Sequence, residues 1–192
     1  MLKFTLDHNC IVDIDEDRQP EARCLRSLLA RHDAGEDRVR LVATSASERQ
    51  QGGPYLENFN QFQDRLAALG LGHLELLAPV AVADLSYVDW CVAAGPESIS
   101  LLERIHGVLF PEEAFELQDV LAAAGPNANP EVIERKWRNH ALDVHALWCH
   151  IHYEGDVFVT SDGVFFRQSK RQPLASLGAA RILRPCDAAR AR

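Results

Sequence analysis

The stretch from Asn129 to Thr160 constrains the fold more than any other part of this 192-residue chain. Asn129 reads as a helix cap, Pro130 suits a first turn, and Glu131 and Glu134 suit the positive end of a helix dipole. Ile133, Trp137, Ala141, Val144, Trp148 and Ile151 then recur every three or four residues and form one apolar stripe. Gly155 is the predicted stop. Asp156-Val157-Phe158-Val159-Thr160 follows at once and reads as a short buried strand. A long amphipathic helix running straight into a buried strand calls for a sheet covered by helices.

The same alternation recurs along the chain. Leu2 to Leu6 alternates apolar and polar residues as a strand does, and a polar stretch runs from about Asp13 to Pro20. Glu21 to His32 is a predicted helix with Ala22, Leu25, Leu28 and Leu29 on one side, and Asp33 to Asp37 is a turn. Val39 to Thr44 is a second strand. Gln51-Gly52-Gly53-Pro54 is a break, and Glu57 to Leu69 a helix that stops at Gly70. Leu74 to Val82 reads as a short strand interrupted by Pro79. Residues 84–128 carry the weakest pattern, with helices predicted over Ser98 to Leu109 and Pro111 to Ala124. Ala180 to Leu183 is the expected last strand. Strands separated by helices imply an α/β fold around a mostly parallel sheet. One domain is expected over residues 1–186, with 84–128 as a helical embellishment and 187–192 as a frayed tail.

Composition narrows the setting. The chain is 47% hydrophobic and 25% charged, which excludes extensive disorder. No apolar run is long enough to cross a bilayer, and the opening residues carry an acid and a histidine too early for a signal peptide. The expectation is a cytoplasmic protein with no membrane partner. Cys10, Cys24, Cys91, Cys149 and Cys186 are odd in number, scattered and without a CxxC pair, so reduced thiols are expected. The net charge of −8 argues against a broad basic surface for nucleic acid. A site built from carboxylates is itself acidic, however, and needs cations to work.

Carboxylates do fall where α/β sheets bind ligands, beyond the carboxyl ends of strands. Asp7 follows the first strand, Glu48 lies just past the second, and Asp162 follows the strand ending at Thr160. Asp143 sits beside the apolar stripe of the long helix. Acids sharing a cleft repel one another, and a hard divalent cation relieves that cost. Such an ion can polarise a phosphoryl oxygen and orient a water. Taken singly, each acid reads more readily as structural, Asp7 and Asp162 as turn or cap residues, Glu48 as the start of a helix and Asp143 as a partner of Arg138; their combination carries the metal reading.

In this arrangement the chain resembles the PIN-domain family. Leu6-Asp7-His8-Asn9-Cys10-Ile11-Val12 is similar to that family's opening strand and first acid, commonly D-[TS]-N followed by apolar residues. Val159-Thr160-Ser161-Asp162-Gly163-Val164-Phe165 resembles its T-x-D-x-x-F signature, and Leu177 to Pro185 its closing helix-to-strand passage. The likeness covers residues 1–50 and 129–186. It implies a PIN-like three-layer sandwich, with extra helices in the middle segment, and a metal-dependent nuclease, most often a ribonuclease. On this resemblance Asp7, Glu48, Asp143 and Asp162 hold Mg²⁺ or Mn²⁺, directly or through water. Asn9 supports Asp7, and Thr160 or Ser161 orients Asp162 or a metal-bound water. His8 departs from the pattern, standing where a small hydroxyl residue is usual; its ring either contacts substrate phosphate or points away.

Other chemistries find less support. His140, His145, Cys149, His150 and His152 invite a zinc reading, but the five-residue spacings rotate around a helix and no paired cysteines accompany them. There is no GxSxG, and Gly52-Gly53 lacks a P-loop lysine. Trp90, Trp137 and Trp148 read as core or groove residues. Arg167, Lys170 and Arg171 form the best local basic patch, either a grip on a phosphate backbone or a solvated helix face. The expected activity is a Mg²⁺- or Mn²⁺-dependent endoribonuclease, with RNA as substrate. A toxin of the VapC type with an antitoxin-like protein partner, and a homodimer, belong to the same resemblance. The alternative is a catalytically weak PIN-like module that binds RNA or a protein partner.

Overall fold

The computed structural model describes residues 1–43, 59–81, 90–125 and 128–192. Five strands form one sheet: β1 (Lys3–Leu6), β2 (Arg38–Val42), β3 (Glu75–Leu77), β4 (Val157–Val159) and β5 (Ile182–Leu183). Every pairing is parallel, and the order is β3-β2-β1-β4-β5. Successive strands step outward from β1 to β3, then the chain returns to the far side of β1 for β4 and β5. The order therefore reverses between β1 and β4, which is where open parallel sheets form a ligand crevice at their carboxyl edge.

Helices cover both faces, giving the three layers expected of a PIN-like α/β sandwich. One face carries α1 (His8–Asp15), α2 (Glu21–Asp33), α3 (Phe59–Ala68) and α8 (Pro185–Ala188). Phe4, Leu6, Val39, Leu41, Val157 and Val159 point into this layer and pack with Cys10, Ile11, Leu25, Leu28 and Phe62. The other face carries α4 (Pro96–Leu109), α6 (Pro130–His152) and α7 (Gln168–Ser176), with α5 (Leu117–Ala123) packed on α6. There Val42, Leu77 and Phe158 meet Leu102, Ile105, Leu147, Trp148 and Leu174. Strand alternation assigns the two sets to opposite faces.

Several expectations change. The polar stretch after β1 is partly helical, because Asp7 caps α1 and Cys10, Ile11 and Ile14 face the core. The expected helix from Pro111 shortens to α5, since residues 111–116 form turns. Thr44, Glu48, the Gln51 to Pro54 break, Glu57, Val82 and Asp84 lie outside the described residues.

The end of α6 also differs. Asn129 does cap it, its side chain accepting the Glu131 N–H at 3.0 Å. The left-handed residue that ends the helix is Glu154 (φ 50°) instead of Gly155. Gly155 serves close approach: a Cβ there would lie 2.2 Å from His150 Nδ1 and 2.8 Å from Thr5 Oγ1. That crowding marks a buried polar knot beneath α6. Arg40 on β2 donates to the Tyr153 carbonyl at 2.9 Å, and His150 Nδ1 lies 3.2 Å from the Thr5 hydroxyl.

The tail is docked, not frayed. Ala188 is fully buried, and Arg31 on α2 donates to the carbonyls of Ala189 and Ala191 at 2.9 Å each. Cys24 and Cys186 form a disulfide that ties α2 to α8 across 162 residues. The expectation of reduced thiols is corrected for this pair and holds for Cys10, Cys91 and Cys149. Disulfides persist in oxidising compartments, so the thiol argument for a cytoplasmic setting falls away. Among the described residues no helix is long and apolar enough to cross a membrane.

Candidate acidic site at the carboxyl edge of the sheet

Asp7 emerges from β1 at the reversal point and is only 2% exposed. Its N–H donates to the Val159 carbonyl at 3.0 Å, which fixes it against β4. Its Oδ1 accepts the His8 N–H at 2.8 Å, capping α1. Its Oδ2 accepts the Asn9 amide at 3.0 Å and the Thr160 hydroxyl at 2.7 Å. Burial pushes this carboxyl up to about 6 and the charge of Asp162 adds to the rise, while the three hydrogen bonds hold it back.

Thr160 joins two acids. The hydroxyl that donates to Asp7 also accepts the Asp162 N–H at 3.0 Å. Asp162 in turn caps a 3-10 turn over Gly163–Phe166, its Oδ1 accepting the Val164 N–H at 2.7 Å. Both partners of the T-x-D pattern are thus set by backbone and hydroxyl bonds, with no basic side chain required.

Asp143 arrives from α6. Burial pushes its carboxyl well above the ordinary range; the charges of Asp7 and Asp162 push further, and Lys170 opposes them. Asp143 and Asp162 line one cleft of about 440 Å³ together with Phe110, Asn139, His140 and Arg167. Asp7 is not among the lining residues and reaches this pair through its charge. The structure therefore brings Asp7, Asp143 and Asp162 into one electrostatic unit, while Glu48 lies outside the described residues.

The supporting residues divide. Asn9 donates to Asp7, the contact that the resemblance implies, whereas Thr160 bonds Asp7 as well as the Asp162 N–H it was expected to serve. Ser161 does not orient Asp162: its hydroxyl donates to Asp13 at 2.7 Å, a buried acid that also lies 3.6 Å from Arg18. The His8 ring is buried, and burial followed by the charge of Arg65 lowers it to about 3. A buried neutral ring carries no charge to a phosphate.

The basic patch is also rearranged. Arg167 lines the cleft and Arg171 is exposed on α7. Lys170 is buried, because its ammonium donates to the Leu109 carbonyl at the end of α4 and sits 5.5 Å above the Phe110 ring. It counters the acids from inside instead of gripping a backbone. Arg184 donates to the Ser161 carbonyl at 3.1 Å and lies over the Phe166 ring. No local pattern marks it, since it follows β5 and reaches the site only through strand pairing.

The histidine-rich face of α6 gathers no zinc site among the described residues. His145 and His150 are buried, and burial lowers each to about 4. The three ligand atoms that do lie within 4.8 Å of one another belong to His32, Asp33 and His73. That group sits near the starts of β2 and β3, far along the strands from the acids. His32 Nδ1 already accepts the Val39 N–H at 3.2 Å, and His73 Nε2 faces Asp33 at 3.0 Å. With Nδ1 accepting, the neutral His32 ring carries its proton on Nε2, so a cation would have to displace that proton or the Val39 bond.

The chain matches no known protein-family model, and neither the curated proteins nor the solved structures contain a match to it.

Proposed function

We propose that this protein is a Mg²⁺- or Mn²⁺-dependent nuclease that hydrolyses phosphodiester bonds, with RNA as its substrate. The observation that supports the reading is the meeting of three acids at the strand-order reversal: Thr160 bonds both Asp7 and the Asp162 N–H, and Asp143 lines one cleft with Asp162. Holding a buried Asp7 near half-buried Asp143 and Asp162 costs free energy that a hard divalent cation removes, and oxygen-only donors suit Mg²⁺ or Mn²⁺. The choice of RNA, an antitoxin-like partner and pairing with a second copy rest on the resemblance to PIN-type toxins.

The donor set fits such an ion. Asp143 and Asp162 would hold it from the cleft with Asp7 behind them. The acids do not close within 4.8 Å of one another among the described residues, so part of the coordination would run through water, as Mg²⁺ commonly requires. When bound, the ion supplies Lewis-acid polarisation of a phosphoryl oxygen and orients a water. The residues supply the rest. Thr160 fixes the spacing of Asp7 and Asp162, Lys170 restrains the acids' repulsion from within, and Arg167 on the cleft wall offers a guanidinium to phosphate.

A second reading, a PIN-like module of weak activity that binds RNA or a protein, draws on the net charge of −8 and on the buried His8 that stands where a small hydroxyl residue is usual. Matched RNA and DNA strands incubated with purified protein and Mn²⁺ separate the two. The nuclease reading expects cleavage of RNA that stops with chelator and in Asp162→Asn. Cleavage that survives in both Asp7→Asn and Asp162→Asn sinks it, and Mn²⁺ binding without cleavage favours the weak module.

A further inference from the structure

The wall of the acidic cleft contains a histidine held in a defined orientation by the middle segment. His140 lies three residues before Asp143 on α6, so the two share a helix face, and both line the cleft with Asp162 and Arg167. The Nδ1 of His140 is hydrogen bonded to a carboxylate oxygen of Glu113. Its ring stacks on Phe110, with centroids 3.8 Å apart and planes 10° from parallel. The other Glu113 oxygen lies 3.4 Å from Lys136 Nζ. Burial pushes the Glu113 carboxyl up, but the His140 bond and the charges of His140 and Lys136 outweigh it and hold the group below its ordinary range.

This arrangement dictates which nitrogen is available. A carboxylate bound at Nδ1 keeps a proton on that nitrogen and leaves Nε2 as the ring nitrogen not held by Glu113. The charged groups around the ring are Glu113 and Lys136, His106 on α4, Asp143 on its own helix, and Asp162 and Arg167 across the cleft. Phe110 blocks one ring face, so the imidazole cannot swing away from the cleft without losing both the stack and the carboxylate.

We propose that His140 is a catalytic proton donor, positioned by Glu113, that protonates the leaving oxygen when a phosphodiester bound over Asp143 and Asp162 is cut. The inference rests on the nuclease reading above. In the step, a water oxygen forms a bond to phosphorus while the bond from phosphorus to the leaving oxygen breaks. The electron pair of the broken bond goes to that oxygen, which takes the proton from Nε2. The surplus proton of the water passes to solvent, and His140 is reprotonated from solvent before the next turnover. The products are a phosphate monoester and a free hydroxyl. Phe110 and Glu113, which sequence patterning assigns to an embellishment, become part of the site.

A leaving group that needs no proton provides the test. RNA and bis(4-nitrophenyl) phosphate are compared for wild type, His140→Ala and Glu113→Gln at saturating Mn²⁺. His140→Ala is expected to lose roughly 100-fold in kcat on RNA. Its loss on the nitrophenyl ester should be at least about tenfold smaller, because nitrophenolate leaves as a stable anion. Added imidazole should restore part of the RNA cleavage, and Glu113→Gln should show a weaker version of the same substrate bias. Mn²⁺ affinity by calorimetry and the thermal midpoint should stay near wild type in His140→Ala. Equal losses on both substrates, or no loss on RNA, overturn the role of His140 while leaving the nuclease intact. A wild-type protein that cuts neither substrate overturns the nuclease reading and this inference with it.

Discussion

The Thr160 hydroxyl lies 2.7 Å from Asp7 Oδ2, across 153 residues of sequence, and accepts the N–H of Asp162 in the same position. One small side chain thus sets the separation of two acids that arrive from different strands. A valine matches its shape but offers neither bond. Thr160→Val is expected to lower stability by about 1–3 kcal/mol, because the buried Asp7 oxygen loses a donor. It should also weaken Mn²⁺ binding. Urea unfolding and calorimetry check the two effects, and unchanged values in both would show that the threonine is a spacer by shape alone.

Asp7 should behave as a group whose charge is costly until a cation arrives. Asp7→Asn removes that cost but turns an amide toward the Asn9 donor, so the metal-free variant is expected within about 1 kcal/mol of wild type. The informative quantity is the thermal shift produced by Mn²⁺. It should be several degrees in wild type and largely absent in Asp7→Asn. An undiminished shift would move the metal elsewhere.

Acid should destabilise the fold. His145 and His150 are each lowered to about 4 by burial, and His8 to about 3, against 6.5 for an unfolded chain. The unfolded state binds more protons in that interval, so stability is complete above pH 6.5 and is lost as pH falls toward 4. Asp7, raised to about 6, acts in the opposite sense: its contribution is greatest below 3.8 and is lost as pH rises through 6. Asp143 shares the direction of Asp7. Three lowered imidazoles outweigh two raised carboxyls, and the urea midpoint is expected to be lower at pH 5 than at pH 7.5. A higher midpoint at pH 5 would show that the two raised carboxyls outweigh the imidazoles.

Gly155 has no room for a methyl group. Gly155→Ala places a carbon on the His150 ring and the Thr5 hydroxyl, at an expected cost of about 1–3 kcal/mol. Combining it with His150→Ala should recover part of the loss, since the obstructing ring is gone. Additive losses in the double variant, measured by chemical denaturation, would place the strain elsewhere.

The Cys24–Cys186 bond makes a separate, countable prediction. The denatured, unreduced protein should expose three reactive thiols of the five cysteines. Cys186→Ser is expected to cost about 2–5 kcal/mol. Five titratable thiols in unreduced protein would contradict the bridge.

Much of the framework was legible from local chemistry. Alternation marked β1, the stripe from Ile133 to Ile151 marked α6, and the acids after β1 and β4 followed from where strands end. The parallel sheet and its flanking helices came from the order of those elements. Long-range contacts were not legible. Lys170 looked like part of a basic surface because nothing nearby in sequence announces the Leu109 carbonyl 61 residues away that draws it inside. Glu113 and His140 are 27 residues apart, and Cys24 and Cys186 162 apart, with no repeat or spacing to link them. Gly155 looked like a helix stop because glycine commonly is one; the collision it avoids exists only once α6 lies on β1. Ser161 sat inside a recognisable motif, yet its hydroxyl answers to Asp13 on another element.

The placement of β1 between β2 and β4 has a further consequence for synthesis on the ribosome. β1 and β2 can pair once some 40 residues have emerged, yet the other side of β1 waits for Val157 to Val159. Until then Asp7 lacks the Val159 carbonyl that seats it and the Thr160 hydroxyl that orients it. A nascent chain therefore carries the first acid for most of its translation without the second or third in place. The acidic cluster assembles late, and a chain that stops before residue 157 lacks β4 and leaves one edge of β1 unpaired.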